Sequence, residues 1–242
     1  MMRPMRTLMI TGAIVISCGT AGAAAAQVGH APSASPYRDI VDAHSITPVI
    51  GYFGGSGGRF GIGAHDGYTY GLRYDLRAGK TVQFGFSAAR SALDRFIVDP
   101  FVALARRRTG PFDQTTTFLD ATIQFNVTGA KTWHGLAPYT GVTLGVAFGE
   151  DLAADTSGYD FGTKFYVGPQ LGTRFFLTRN LHLRAEVRAM FWKVSYPTSF
   201  GEEPAEEPGT PEAPNAVIPD GRFDEWTLNP WVQVGLGYMV RF

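Results

Sequence analysis

The chain has 242 residues, of which 30 are glycine, 13% are aromatic and only 17% are charged. This length fits one β-barrel domain, and the balanced formal charge gives no sign of a nucleic-acid partner. The single cysteine, Cys18, excludes an internal disulfide framework.

Residues 1–26 have the pattern of a signal peptide. Arg3 and Arg6 precede a mostly apolar stretch, 7–17, and the run 21–26 supplies the small residues of a cleavage site. We therefore predict cleavage and export from the cytoplasm.

Two further features of the amino-terminal region bear on this prediction. The residues before Cys18 resemble a lipobox, so lipidation of Cys18 is an alternative to cleavage near Gln27. We interpret residues 27–44 as a polar periplasmic tail and residues 45–242 as an outer-membrane β-barrel domain.

Beyond residue 26 no run of about 20 apolar residues could form a transmembrane helix. Apolar and polar residues alternate instead, which is the pattern of strands with one apolar and one polar face. We predict eight antiparallel strands near 46–54, 68–78, 82–92, 115–128, 136–149, 161–177, 181–192 and 226–242. A soluble β-sandwich also alternates, so this pattern alone leaves both folds open.

The lengths of the connections favour the barrel. Three predicted connections are short, at 78–80, 129–135 and 179–180, and they alternate with long connections at 55–67, 93–114, 150–160 and 198–225. Outer-membrane barrels have short periplasmic turns and longer extracellular loops.

The aromatic residues favour the same fold. Amphipathic rings concentrate at the two membrane interfaces. For the outer interface we predict Tyr68, Tyr70, Phe148, Phe161 and Trp226, and for the inner one Trp133, Phe175, Tyr238 and Phe242. The alternative is that these aromatic residues are scattered along the strands without forming girdles.

The last segment, 232–242, alternates and ends in Phe242. With this segment, and with 137–142 and 168–174, the chain resembles the small OmpA-type transmembrane-domain group of outer-membrane β-barrel proteins over residues 45–242. The resemblance implies an all-β, up-and-down transmembrane barrel. It also implies that Tyr238, Val240 and Phe242 carry a signal for the barrel-assembly machinery. The resemblance covers the barrel and not the soluble peptidoglycan-binding domain of full-length OmpA, so we do not expect anchoring to the cell wall.

Charged residues on the polar face are predicted to lie inside the barrel. The proposed interior network consists of Arg73, Asp75, Arg77, Asp120, Arg174, Arg184, Glu186 and Arg188, with Lys164 as a further inward charge. An eight-stranded barrel has room inside only for side chains, so opposite charges would neutralise each other there. The alternative to a structural network is a gate on a narrow ion path. We expect His182 to be a member of the network.

A catalytic interpretation rests on three residues near the outer end. His65, Asp66 and Ser91 lie at the level where lipid A-modifying barrels place their catalytic groups, but no motif links them and 65–67 fits a turn. The histidines lack metal-ligand spacing. We therefore predict no enzyme activity, no metal and no cofactor.

Two loops suggest partners outside the cell. Arg106, Arg107 and Arg108 suit the phosphates of lipopolysaccharide, although a solvated loop fits them equally. The Pro- and Glu-rich loop 198–225 has the composition of a disordered segment. We expect a monomer surrounded by outer-membrane lipid, with three functions open: structural or surface-interaction barrel, solute or lipid conduit, and lipid A-modifying enzyme.

Overall fold

The computed structural model describes residues 35–41 and 43–240, so the predicted signal peptide, Cys18 and Phe242 lie outside the described residues. The strands are β1 Tyr37–Asp39, β2 His44–Phe53, β3 Gly67–Arg77, β4 Val82–Val98, β5 Arg108–Asn126, β6 Lys131–Trp133, β7 Leu136–Gly149, β8 Thr163–Phe176, β9 Leu181–Ser195 and β10 Asp224–Val240. Two single turns of 3-10 helix, Leu104–Arg106 and Thr198–Gly201, lie in the connections. None of the described helical segments has the length and apolarity needed to cross a membrane.

Eight of these strands close into one ring. Antiparallel pairing runs in the order β2, β3, β4, β5, β7, β8, β9, β10, and β10 pairs again with β2. The closing pair places Val232 opposite Tyr52 and Val234 opposite Ile50. The prediction of an eight-stranded, antiparallel, up-and-down barrel is confirmed, and closure leaves the ring without a free edge.

The alternation of the sequence sets which side chains point inward. On β9, Leu183 and Val187 are outward and about half exposed, whereas Arg184 and Glu186 between them are buried. The same rule explains Trp231, whose inward ring is fully buried in the barrel. Because successive side chains alternate across a strand, one apolar belt and one filled interior arise together.

The hairpin of β4 and β5 is longer than predicted. Its ladder continues through the pair Asp94 and Asp113, and the loop that joins the strands is only 99–107 rather than 93–114. The alternation that marked the strands ends near residue 92, but backbone pairing does not need an apolar face to continue.

Aromatic rings fill the interior at the outer end, which we define as the end with the long connections 54–66, 99–107, 150–162 and 196–223. Rings of Phe53, Phe118, Trp192 and Trp231 meet there, with centroids of Phe118 and Trp231 4.9 Å apart. Phe161 belongs to this cluster and is buried, so its assignment to the outer girdle was wrong. It precedes the first residue of β8, so the strand alternation does not govern its direction.

At the opposite, inner end the chain folds across the barrel mouth. β1 pairs with β6, and Ile40 packs against Ala137 and Met239. The Arg77 guanidinium donates hydrogen bonds to the backbone oxygens of Ile40 and Val41. Part of the segment predicted to be a tail is thus an ordered element of the inner end.

Candidate functional site

A network of charged side chains fills the barrel interior below the aromatic cluster. Arg188 donates to Asp120 at 2.9 Å and to Glu186 at 2.5 Å. Arg184 donates to the same Glu186 at 2.6 Å and to Asp75 at 3.2 Å. Both arginines therefore bridge two carboxylates each.

The network crosses the lumen. Arg184 and Arg188 come from β9, whereas Asp75 comes from β3 and Asp120 from β5, each three strands away around the ring. Arg73 adds a bond to Asp75 at 2.9 Å and approaches Glu186 at 4.0 Å. The bonds of Arg184 to Asp75 and of Arg188 to Asp120 join strands that no backbone ladder joins directly.

Two tyrosines complete the bonding of the carboxylates. The Tyr139 hydroxyl donates to Glu186 at 2.7 Å, and the Tyr166 hydroxyl donates to Asp120 at 3.1 Å. The Arg184 guanidinium also lies over the Tyr139 ring, 4.5 Å from its centroid. Sequence reasoning did not include the tyrosines in the network, although their inward parity on β7 and β8 follows from the same alternation.

Amide side chains extend the network toward the inner end. Gln124 accepts from Arg184 at 2.9 Å and donates to Asn126 at 3.0 Å. Arg174 in turn donates to Asn126 at 2.7 Å. The predicted members Arg73, Asp75, Asp120, Arg184, Glu186 and Arg188 thus meet directly, while Arg174 joins through an amide.

Three other predicted inward groups lie apart from this network. Arg77 bonds the backbone of Ile40 and Val41 at the inner mouth. Lys164 lies near the rings of Tyr159 and Phe161 at the outer end. His182 is fully buried beside Phe176, and neither of its ring nitrogens has a hydrogen-bond partner.

The long connections pack onto one another above the aromatic cluster. Arg59 bonds Glu225 at 3.3 Å and Asp220 at 3.4 Å, and the Tyr196 hydroxyl also donates to Glu225. Burial, followed by this hydrogen bond, raises the pKa of Tyr196 above its usual range. The hydroxyl is therefore a donor at neutral pH.

A fully buried ion pair lies beneath the loops. Arg95 pairs with Asp155, and its guanidinium lies 4.7 Å from the centroid of the Tyr159 ring. Burial raises the pKa of Tyr159 above its usual range. This pair ties the extended end of β4 to the connection 150–162.

The acidic connection is ordered, contrary to the prediction from its composition. Phe200 and Ile218 are buried in the outer cluster, and the Ile218 amide donates to the Phe200 oxygen at 2.7 Å. Composition averages over the whole loop, whereas two apolar anchors near its ends decide whether it packs.

The three consecutive arginines at 106–108 have different surroundings. Arg106 forms an exposed pair with Glu206 at 3.0 Å. Arg107 is buried and donates to the backbone oxygen of Asn215 at 2.8 Å, while Arg108 lies over the Phe96 ring.

The residues considered for catalysis also have separate contacts. His65 Nδ1 lies 2.8 Å from the Gly63 oxygen, and its ring stacks on Phe96. Ser91 donates to the backbone oxygen of Thr116 at 3.2 Å. Within 35–41 and 43–240, no group of three or more histidine, cysteine or acidic residues is arranged to hold a metal ion.

The outward face of the ring is apolar and ends in aromatic residues. Exposed apolar side chains include Ile50, Leu72, Leu144, Leu171, Val187 and Val234. Of the predicted girdle residues, Tyr68, Tyr70, Phe148 and Trp226 are exposed toward the outer end, and Trp133, Phe175 and Tyr238 toward the inner end. Large apolar surface of this kind is typical of contact with a membrane.

No protein-family model matches the chain, and no curated protein matches it. Among solved structures, Neisserial surface protein A is similar, with 12% identity, a TM-score of 0.51, and coverage of 81% of this chain and 97% of that one. Outer-membrane protein OprG of Pseudomonas aeruginosa is 15% identical, with a TM-score of 0.49 and coverage of 84% and 98%. The closed ring and the likeness to Neisserial surface protein A establish that the chain has the fold of a small eight-stranded outer-membrane β-barrel protein.

Proposed function

We propose that the protein is a structural or surface-interaction barrel of the bacterial outer membrane, with a closed interior and with its long connections outside the cell. The single observation that carries this proposal is the bonding of Arg184 and Arg188 on β9 to Asp75 and Asp120 across the lumen. Side chains that bond across a narrow barrel occupy the space that a solute would need.

The surroundings of the network support a closed interior. The aromatic cluster lies above it, with Phe118 and Trp231 fully buried, and Ile40 packs across the inner mouth below it. A permanent conduit would have to displace both layers as well as the ion pairs.

The outward surface supports the proposed location. The apolar belt and the exposed aromatic residues at both ends fit a bilayer, and in this orientation the short turns are periplasmic. The proposed surroundings are outer-membrane lipid and lipopolysaccharide. Arg106 is the most suitable of the three loop arginines for a phosphate, since its present partner is an exposed carboxylate. Assembly would depend on the barrel-assembly machinery.

We assign no catalytic reaction to the chain. His65 stacks on Phe96 and Ser91 bonds a backbone oxygen, so each has a structural role that accounts for its position. The lipid A-modifying alternative would need a base and a nucleophile that meet at one substrate.

Single-channel conductance of the purified barrel in planar bilayers tests the closed interior. We expect the wild type to be silent, because the network and both flanking layers fill the lumen. A large and stable conductance in the wild type would contradict this proposal and favour the conduit. Cell fractionation, with a heat-induced shift in gel mobility as the sign of a folded barrel, tests the location.

A further inference from the structure

The charged interior contains one arginine more than its carboxylates can pair. Its carboxylates, Asp75, Asp120 and Glu186, are bonded by Arg73, Arg184 and Arg188. Arg174 is equally buried, yet none of the ion pairs found within 35–41 and 43–240 includes it. The Arg174 guanidinium donates a hydrogen bond to the neutral amide oxygen of Asn126. Because a guanidinium does not lose its proton in a protein, this positive charge stays in the barrel.

A small cavity lies beside this arginine. Its walls include Ser45, Arg77, Gln83, Asn126 and Arg174. The cavity has a volume of about 10 Å³, counted as the space that the centre of a water molecule can reach, and this is enough for one water-sized occupant. The cavity is therefore too small for a phosphate, a sulfate or an organic carboxylate.

The walls of this cavity present hydrogen-bond donors that lack acceptors. Arg174 Nε and Ser45 Oγ are both buried, and neither has a hydrogen-bond partner. A second arginine in the cavity wall, Arg77, adds positive charge. Such donors favour an occupant that accepts hydrogen bonds and carries negative charge.

We propose that this cavity binds one small monovalent anion of the size of chloride. The anion would accept hydrogen bonds from Arg174 Nε and Ser45 Oγ, and it would compensate the unpaired guanidinium. A water molecule would accept the same bonds but leave the buried charge uncompensated, which is unfavourable in a low-dielectric interior. This inference does not depend on whether the lumen conducts.

The first test is the thermal unfolding of the folded barrel in detergent micelles at constant ionic strength, with chloride replaced stepwise by gluconate. Gluconate is too large for the cavity, so only chloride can stabilise the native state by binding. Above the dissociation constant, each tenfold increase in chloride should raise the midpoint temperature by about 3–5 °C. Equal midpoints in chloride and gluconate would overturn the proposal and leave the cavity to water.

Variants locate the effect. Arg174→Gln should abolish the chloride dependence, whereas Arg179→Gln, which changes an exposed arginine of the nearby turn, should keep it. If Arg174→Gln does not fold, Ser45→Ala removes one donor and should weaken the dependence. Crystals soaked in bromide should show an anomalous scattering peak between Arg174 and Ser45. Chloride dependence that persists in both site variants, or a missing bromide peak, would contradict the site.

Discussion

The outer half of the barrel interior is packed with aromatic rings, whereas the inner half is packed with arginines and carboxylates. In the outer half the rings of Phe53, Phe118, Trp192 and Trp231 contact one another. The indole N–H of Trp231 donates a hydrogen bond to the Thr69 hydroxyl at 3.0 Å. In the inner half each carboxylate receives bonds from several donors. Both halves fill the lumen, the outer half by apolar packing and the inner half by ion pairs and hydrogen bonds.

This difference predicts different responses to substitution. Apolar packing is non-directional and loses free energy roughly in proportion to the volume removed, so a swap of similar size is tolerated. A buried charge network depends on every partner, because removing one leaves the others uncompensated in a low-dielectric site. Substitutions matched in size therefore separate the two halves better than truncations to alanine.

The largest combined effect on stability and conductance is expected from Glu186→Ala. This change leaves Arg184, Arg188 and the Tyr139 hydroxyl without their shared carboxylate. We expect the free energy of unfolding to fall by about 3–5 kcal/mol, and the silent barrel to acquire a leak. Urea titration in micelles and single-channel recording measure the two effects.

Two matched variants sharpen this test. Glu186→Gln keeps the size but removes the charge, and it should still destabilise the barrel. Glu207→Ala changes an exposed loop carboxylate that accepts a hydrogen bond from the Leu104 amide. It should neither lower the free energy of unfolding nor open a leak. A Glu186→Ala barrel as stable and as silent as the wild type would contradict a stabilising role for the network.

A smaller effect is expected in the aromatic half. Phe118→Leu keeps an apolar side chain of nearly the same volume at a fully buried position. The free energy of unfolding should fall by about 1–1.5 kcal/mol, without a leak, because neighbouring rings retain their contacts. Phe118→Ala is the control that removes most of the side chain at the same site, and it should lower the free energy of unfolding by about 3–5 kcal/mol. A loss for Phe118→Leu as large as that for Glu186→Gln would remove the distinction between the halves.

The sequence allowed the prediction of the barrel and of which charges point inward, since alternation reports the face of each residue. It did not give the level of a residue in the lumen, which depends on the stagger of neighbouring strands. Arg77 shares the parity of Asp75 but lies at the inner mouth, where Ile40 and Val41 take its bonds. Alternation also could not predict the burial of Phe161, which precedes its strand. Nor could it predict the burial of Arg107, which contacts a loop far along the chain.

The inner mouth offers a test that leaves both halves intact. Arg77→Ala removes the guanidinium that bonds the backbone of Ile40 and Val41. Hydrogen exchange of the amides in β1 should become faster, with a change in global stability below that of Phe118→Ala, because local opening needs less free energy than unfolding. Lys80→Ala, in the exposed adjacent turn, is the control. Unchanged exchange in Arg77→Ala would show that the pairing of β1 with β6 and the packing of Ile40 hold the segment without Arg77.

The smallest effect is expected at the outer surface, where the same ion-pair chemistry is exposed to solvent. Arg106 and Glu206 are 3.0 Å apart, as close as the buried pair of Arg188 and Asp120, but both side chains are mostly exposed. Water and salt screen such a pair, so Arg106→Ala should lower the free energy of unfolding by less than about 1 kcal/mol. Urea titrations at low and high salt measure this loss, which should shrink further at high salt. The neighbouring variant Arg107→Ala should cost more, because it removes a buried donor to the Asn215 oxygen. Equal losses for the two arginines would mean that burial does not set the strength of polar contacts among the outer connections.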